Sequence, residues 1–316
     1  MESKIDSNIK IETKINTKNK SNIKRDTMTK AVHGFSYIFI TLFALGCLIP
    51  FVLMVSASFS TETTITKSGF AILPQGFTTA AYELVFKSPR ILIGSYVVTI
   101  IMTTVGTLMG LFIVAMTGYA LQRKDFPFRN GILFFIYFTT LFSAGLAPTY
   151  LWMTQYLNLK DSYLAVLLPL LMSPWLIILM KNFVKSIPYE ITESGKMDGA
   201  GDFTIFVSLI LPMLKPALAT IGLFIALGYW NEWYNAMLYL SSSVEYKPLQ
   251  NYLYGIVNQA QALKNSVAGA NVPVGELPTT TLKMATAVLA TGPIIFLYPF
   301  VQKYFIAGIT VGAVKG

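Results

Sequence analysis

Six stretches of this chain are long and apolar enough to cross a bilayer, and that pattern constrains its fold more than any motif. A helical span needs about 20 mostly apolar residues, because an unpaired backbone amide is too costly in hydrocarbon. The stretches run Gly34–Ala57, Gly94–Leu121, Ile132–Met153, Tyr163–Phe183, Met213–Leu240 and Met284–Phe305. They predict an all-α integral membrane protein with six transmembrane helices. Charged residues agree: they make up 12% of the chain, about half of the roughly 25% usual in soluble domains.

Direction follows from the basic residues near span ends. Residues 1–33 form a tail rich in Lys, Asn, Ile, Ser and Thr, with eight Lys/Arg before residue 31. It reads as disordered and cytoplasmic, drawn to anionic lipid. Nucleic acid is not expected as a partner, because no folded reader accompanies the tail. With the tail inside, 17 of the 24 Lys/Arg fall on the inner side. Both termini and the connection between spans four and five are then cytoplasmic. Residues 34–316 form the membrane domain.

Catalytic and metal chemistry find little to work with. Cys47 is the single cysteine and His33 the single histidine, so a disulfide within the chain or a zinc cluster is not expected. No GxxxxGK[ST] phosphate cradle occurs. The chain is read as a non-enzyme with no cofactor of its own.

The inner connection, residues 186–212, is unusual for a membrane chain. It contains "EITESGKMDGAGDF", Glu190 to Phe203. Pro188 suits a first helical turn, and Glu190 and Glu193 lie where the helix dipole favours acids. Gly199 can end that helix in a left-handed conformation. Asp202 can cap a second helix carrying Phe203, Phe206 and Val207. Pro212 and Pro216 bracket the start of span five. The expected product is a helix–turn–helix knob that docks on a cytosolic partner.

Two spans carry candidates for a pathway. Span three contains Gly145 and Pro148, and Pro148 is expected to kink it. Span five contains "GYWNEWYNAML", where Glu232 is the one acid well inside a span. Asn231 and Asn235 are read as one helical face beside it, and Trp230 adds an aromatic surface suited to a sugar ring. Two readings stand: this segment lines a pathway, or it belongs to an interfacial aromatic belt. In span two, Gly106 and Gly110 form a small-xxx-small pattern that permits close helix packing. The outer loop 241–283 reads as long and poor in structure, serving partner docking or linkage.

A resemblance gives these features a common meaning. Glu193-Ser194-Gly195, Gly199 and Leu209-Ile210-Leu211-Pro212 resemble the "EAA" signature of ABC importer permeases, with Ser194-Gly195 in place of two alanines. "GYALQRKDFPFRNGILFF", "FSAGLAPTYLW", "WNEWYNAMLYL" and "YFIAGITVGAVKG" resemble MalG-type carbohydrate permeases, especially the LplC/YtcP branch. The resemblance implies the type I importer fold, with a cytoplasmic coupling helix built on Glu190, Glu193, Ser194, Gly195, Asp198, Gly199, Asp202 and Pro212. It also implies a bacterial plasma-membrane location. The implied partners are a second homologous permease, a cytosolic ATPase dimer that holds ATP and Mg, an extracellular solute-binding protein and a carbohydrate. The alternatives are an ABC permease for another solute class and an ion-coupled secondary transporter. The latter would require inverted repeats and coupling-ion sites, and no clear repeat is present.

Overall fold

A computed structural model describes residues 27–268 and 278–313. Among these, every regular element is a helix. Helix α1 (Thr27–Ser58) already includes Thr27–His33, so the helix begins within the segment read as tail. The remainder of that tail, residues 1–26, lies outside the described residues. Two short helices follow, α2 (Glu62–Ser68) and α3 (Ala80–Val85). Next comes α4 (Pro89–Gln122), started by a proline whose missing N–H would have had no helical partner.

Helices α1 and α4 each contain a segment long and apolar enough to span a membrane unaided. Three further segments qualify only as bent pairs. The first is α5 (Arg129–Leu141) with α6 (Leu146–Tyr156), at 115°. The second is α7 (Tyr163–Leu171) with α8 (Pro174–Lys185), at 43°. The third joins α10 (Asp202–Met213) to a segment Lys215–Tyr239, at 86°. That segment comprises α11 (Lys215–Trp230) and α12 (Tyr234–Tyr239), with α9 (Glu190–Met197) preceding α10. Counting each bent pair as one span gives up to five. Helices α13 (Leu249–Ala268) and α14 (Thr280–Ala313) complete the described order.

The bends correct the smooth spans expected from hydropathy. In span three the break falls at Phe142–Gly145, where Gly145 has φ +87°. Pro148 lies in the first turn of α6, where its absent N–H has no intrahelical acceptor, so Pro148 does not kink the span. Span four was expected to be continuous. It breaks at Met172–Ser173 because Pro174 restarts the helix, and the Ser173 hydroxyl accepts from Leu176 N–H at 3.5 Å. The loop 241–283 is not poor in structure: α13 occupies twenty of its residues. Leu249 and Leu253 are buried at a four-residue spacing, with Ile256, Val257 and Ala260 packed alongside.

Helix α4 is the centre of the bundle and packs most extensively on α11 and α8. Its glycines permit that approach. A Cβ at Gly106 would lie 2.3 Å from the Tyr229 ring, and one at Gly118 would lie 2.7 Å from Met180. Gly110 lies over Ile225 and the Leu171 carbonyl. Val114, Ala115, Ile177, Met180, Ile221 and Ile225 fill the buried core between these helices. Helix α1 packs on α14, and the most apolar stretch of α1 is left unburied by the protein.

Candidate functional site

The helix–turn–helix knob is present and stands at the end of the bundle where α4 and α8 finish. Glu190 and Glu193 occupy the first turn of α9 and are exposed. Pro188 precedes the helix, and its carbonyl accepts from Ile191 N–H at 3.3 Å. The end of α9 is closed by Gly199, at φ +77°. Gly199 N–H donates to the Lys196 carbonyl at 3.0 Å, and Ala200 N–H donates to the Gly195 carbonyl at 2.9 Å. This crossed pair is the Schellman arrangement, which requires a left-handed residue after the helix.

Gly195 is buried against α10. A Cβ there would lie 3.0 Å from Leu209 Cδ1 and 3.1 Å from Ile205 Cγ1. Glycine at this position therefore lets the two arms of the knob close tightly, at some cost in helix propensity. Ser194 and Asp198 face outward beside Met197. Asp202 does not act as a cap. Gly201 holds that position, and Asp202 instead pairs with Arg123 at 2.7 Å. Of the three apolar residues expected to pack, Phe206 does so against Tyr119, ring to ring at 5.4 Å, whereas Phe203 and Val207 are exposed. Pro212 and Pro216 flank Leu214, where the chain turns into α11.

Arg123 and Asp125 belong to this site and were missed in the sequence. Arg123 Nε donates to Asp125 at 2.9 Å, and Lys196 also pairs with Asp125. Hydrogen bonds from Arg123 and Lys196 hold the Asp125 carboxyl well below the usual carboxylate range. The Asp125 bond likewise raises Lys196. Lys124 sits 4.6 Å from the centre of the Tyr189 ring. The available signal was an Arg-Lys-Asp run immediately after a span.

The span-five segment is also rearranged. Helix α11 stops at Trp230 and α12 starts at Tyr234, so Asn231 and Asn235 do not share one helical face. Glu232 sits in the break, 8% exposed, and accepts from Asn235 N–H at 2.6 Å and Asn235 Nδ2 at 3.1 Å. Its carboxylate thus satisfies donors at the start of α12. Trp230 Nε1 donates to the Ala290 carbonyl of α14 at 3.0 Å. Asn231 is exposed, and its Nδ2 donates to the Leu227 carbonyl at 2.9 Å. Gly145 and Pro148 are exposed at the bend of α5 and α6.

At the opposite end of the bundle, Glu62 ties three elements together. Its carboxylate accepts from Thr280 N–H and Thr281 N–H, each at 3.0 Å, and from the Thr279 hydroxyl at 2.9 Å. Lys264 of α13 lies 3.5 Å away. Burial alone would raise the Glu62 pKa, but the bonds from Thr281, Thr280 and Thr279 win and pull it from 4.5 to about 2. A depressed carboxylate pKa stabilises the fold fully above the unfolded value, and the gain is lost as pH falls through the folded one. Glu62→Gln is therefore expected to cost up to about 3 kcal/mol at neutral pH. Melting of the purified protein should show this gap narrowing as pH falls from 4.5 towards 3. An equal gap at pH 7 and pH 3 would contradict the assignment.

Residues 117–311 match the family described as "Binding-protein-dependent transport system inner membrane component". The chain is 38% identical over 282 residues to the polygalacturonan/rhamnogalacturonan transport system permease protein YtcP of Bacillus subtilis, covering 89% of this chain and 96% of that one. It is also 38% identical to protein LplC of the same organism, over 85% and 90% of the two chains. A crystal structure of a bacterial ABC transporter involved in import of the acidic polysaccharide alginate superposes with a TM-score of 0.71 at 30% identity, covering 89% of this chain and 98% of that one. The chain therefore belongs to the family of inner membrane components of binding-protein-dependent transport systems.

Proposed function

We propose that this chain is one of two homologous membrane subunits of an ATP-driven carbohydrate importer. With α14 taken as a sixth span beside the five, both termini and the knob lie in the cytosol, where α9 and α10 form the coupling element seated on an ATPase dimer. The ATPase supplies the ATP and Mg chemistry, and this chain converts its motion into opening and closing of a path. An extracellular binding protein delivers the solute to the opposite end. The relatives' named substrates favour an oligosaccharide or polysaccharide fragment.

One observation carries the reading. The knob presents Glu190, Glu193, Asp198 and Met197 outward on a glycine-closed turn, with Met197 84% exposed. A membrane connection with no partner has no need to build and then expose such a surface.

The path is assigned to the bends. Phe142–Gly145 interrupts a span at an exposed surface. Irregular backbone at membrane depth is tolerated only against protein or a water-filled cavity. Gly145 and Pro148 then face the second subunit across the path, with Asn231 on the same pathway. Trp230, Glu232 and Asn235 hold the wall behind it.

Uptake into proteoliposomes tests the proposal. The chain, its partner permease, the ATPase and the binding protein are reconstituted together and offered oligogalacturonide, arabino-oligosaccharide and maltotetraose. Import is expected for at least one glycan, only with ATP and the binding protein present. Import driven by an ion gradient without ATP would overturn it.

A further inference from the structure

The three residues that follow α4 grip the knob at three separate points. Lys124 lies over Tyr189, at the start of α9. Asp125 pairs with Lys196, in the last turn of α9. Arg123 pairs with Asp202, the first residue of α10, and also with Asp125. The two arms of the knob meet at Gly199–Gly201, and these contacts tie both arms to one short segment across that joint.

Apolar packing does little of this work for α9, where Ile191 alone lies half-buried against the core. Only Thr192 and Gly195 of α9 are buried, and the helix packs on α10. Helix α10, in contrast, is anchored by Phe206, which stacks on Tyr119 and meets Phe112 edge-on at 6.1 Å. Without the charged contacts, α9 would be held to the bundle mainly through α10, Ile191 and the chain at Pro188. A joint made of glycines resists turning poorly.

The charges alternate along the grip: Lys196, Asp125, Arg123, Asp202. Arg123 is the inner member, with its side chain 14% exposed, whereas Asp202 is 57% exposed. Exposed ion pairs of this kind add at most about 1 kcal/mol each to stability. Their effect is directional: the Arg123 fork fixes the orientation of the carboxylates it binds.

We propose that Arg123, Lys124 and Asp125 form a handle that locks α9 to α4, so that a push on the knob moves α4 as one body with it. These are positioning residues. Because α4 is the central helix of the bundle, motion delivered there reaches α8 and α11 directly. The inference rests on the reading of the knob as the ATPase contact.

The test uses the full transporter, with Cys47→Ser removing the exposed native thiol, and spin labels at Met197→Cys on α9 and Ile93→Cys near the far end of α4, both exposed positions. Electron–electron resonance reads the distance between them with and without ATP. In the otherwise native complex, one narrow distance is expected, unchanged by ATP. With Arg123→Gln, Lys124→Met and Asp125→Asn combined, ATP is expected to shift that distance, because α9 turns without α4. A combined variant as narrow and unshifted as the native complex would overturn the handle. Where the combined variant fails to assemble, Lys196→Met frees the end of α9 from Asp125 and should shift the distance in the same direction. Cross-linking of Met197→Cys to the ATPase tests the underlying reading separately. Its absence sinks the coupling assignment, whereas a cross-link with an unshifted combined variant sinks the handle alone.

Discussion

Gly106→Val is expected to destabilise the membrane domain by about 3 kcal/mol. The added Cβ would sit 2.3 Å from the Tyr229 ring, well inside contact distance. Tyr229 has nowhere to go: it is 2% exposed, and its hydroxyl donates to the Leu167 carbonyl at 2.8 Å. Either the α4–α11 seam opens or the ring swings and leaves a buried hydroxyl unpaired. Overpacking costs about 1–3 kcal/mol and the orphaned group a similar amount. Thermal melting of the detergent-purified complex should fall by at least about 5 °C. Tyr229→Phe, which removes only the hydrogen bond, should cost about 1 kcal/mol. Gly131→Ala, with nothing within 4 Å of its added methyl, serves as the control. Gly106→Val melting with the native complex would mean that this glycine is not what lets the helices meet.

That contact shows which parts of the structure were legible in the chain. The small-xxx-small pattern at Gly106 and Gly110 predicts close packing, and hydropathy predicts the long apolar helices α1 and α4, because each signal is repeated along one helix. Gly199 was legible for another reason: few residues other than glycine take positive φ cheaply. The bends were not legible. A break depends on which backbone groups find a new partner, and the Ser173 and Glu232 contacts that supply those partners look like ordinary polar residues in sequence. The handle was invisible because Asp125 and Lys196 lie 71 positions apart. Glu62 and Thr280 are separated by 218. No periodicity encodes a pair at such a distance. The helix α13 was a different kind of miss, since its apolar spacing was present but read as loop.

Gly199→Val is expected to cut ATP-driven glycan import about tenfold or more. The position has φ +77° with nothing within 4 Å of an added Cβ, so the penalty is in the backbone and not in crowding. A β-branched residue there is a conformational outlier, and holding it left-handed costs on the order of 1–3 kcal/mol. The joint can relieve that strain only by giving up the crossed bonds from Gly199 and Ala200. The arms of the knob then separate at the surface proposed to meet the ATPase. Energetic coupling between two sites commonly amounts to about 1–3 kcal/mol, so a loss of this size removes most of it. Gly199→Asn distinguishes the backbone argument from a general intolerance of change, because asparagine enters the left-handed region far more readily. Its import should stay close to the native rate. ATP hydrolysis measured in the same vesicles separates the causes: continued hydrolysis with lost import means that the knob still reaches the ATPase but no longer transmits. Equal import by the Val and Asn variants would show that the left-handed turn at Gly199 plays no part in transmission.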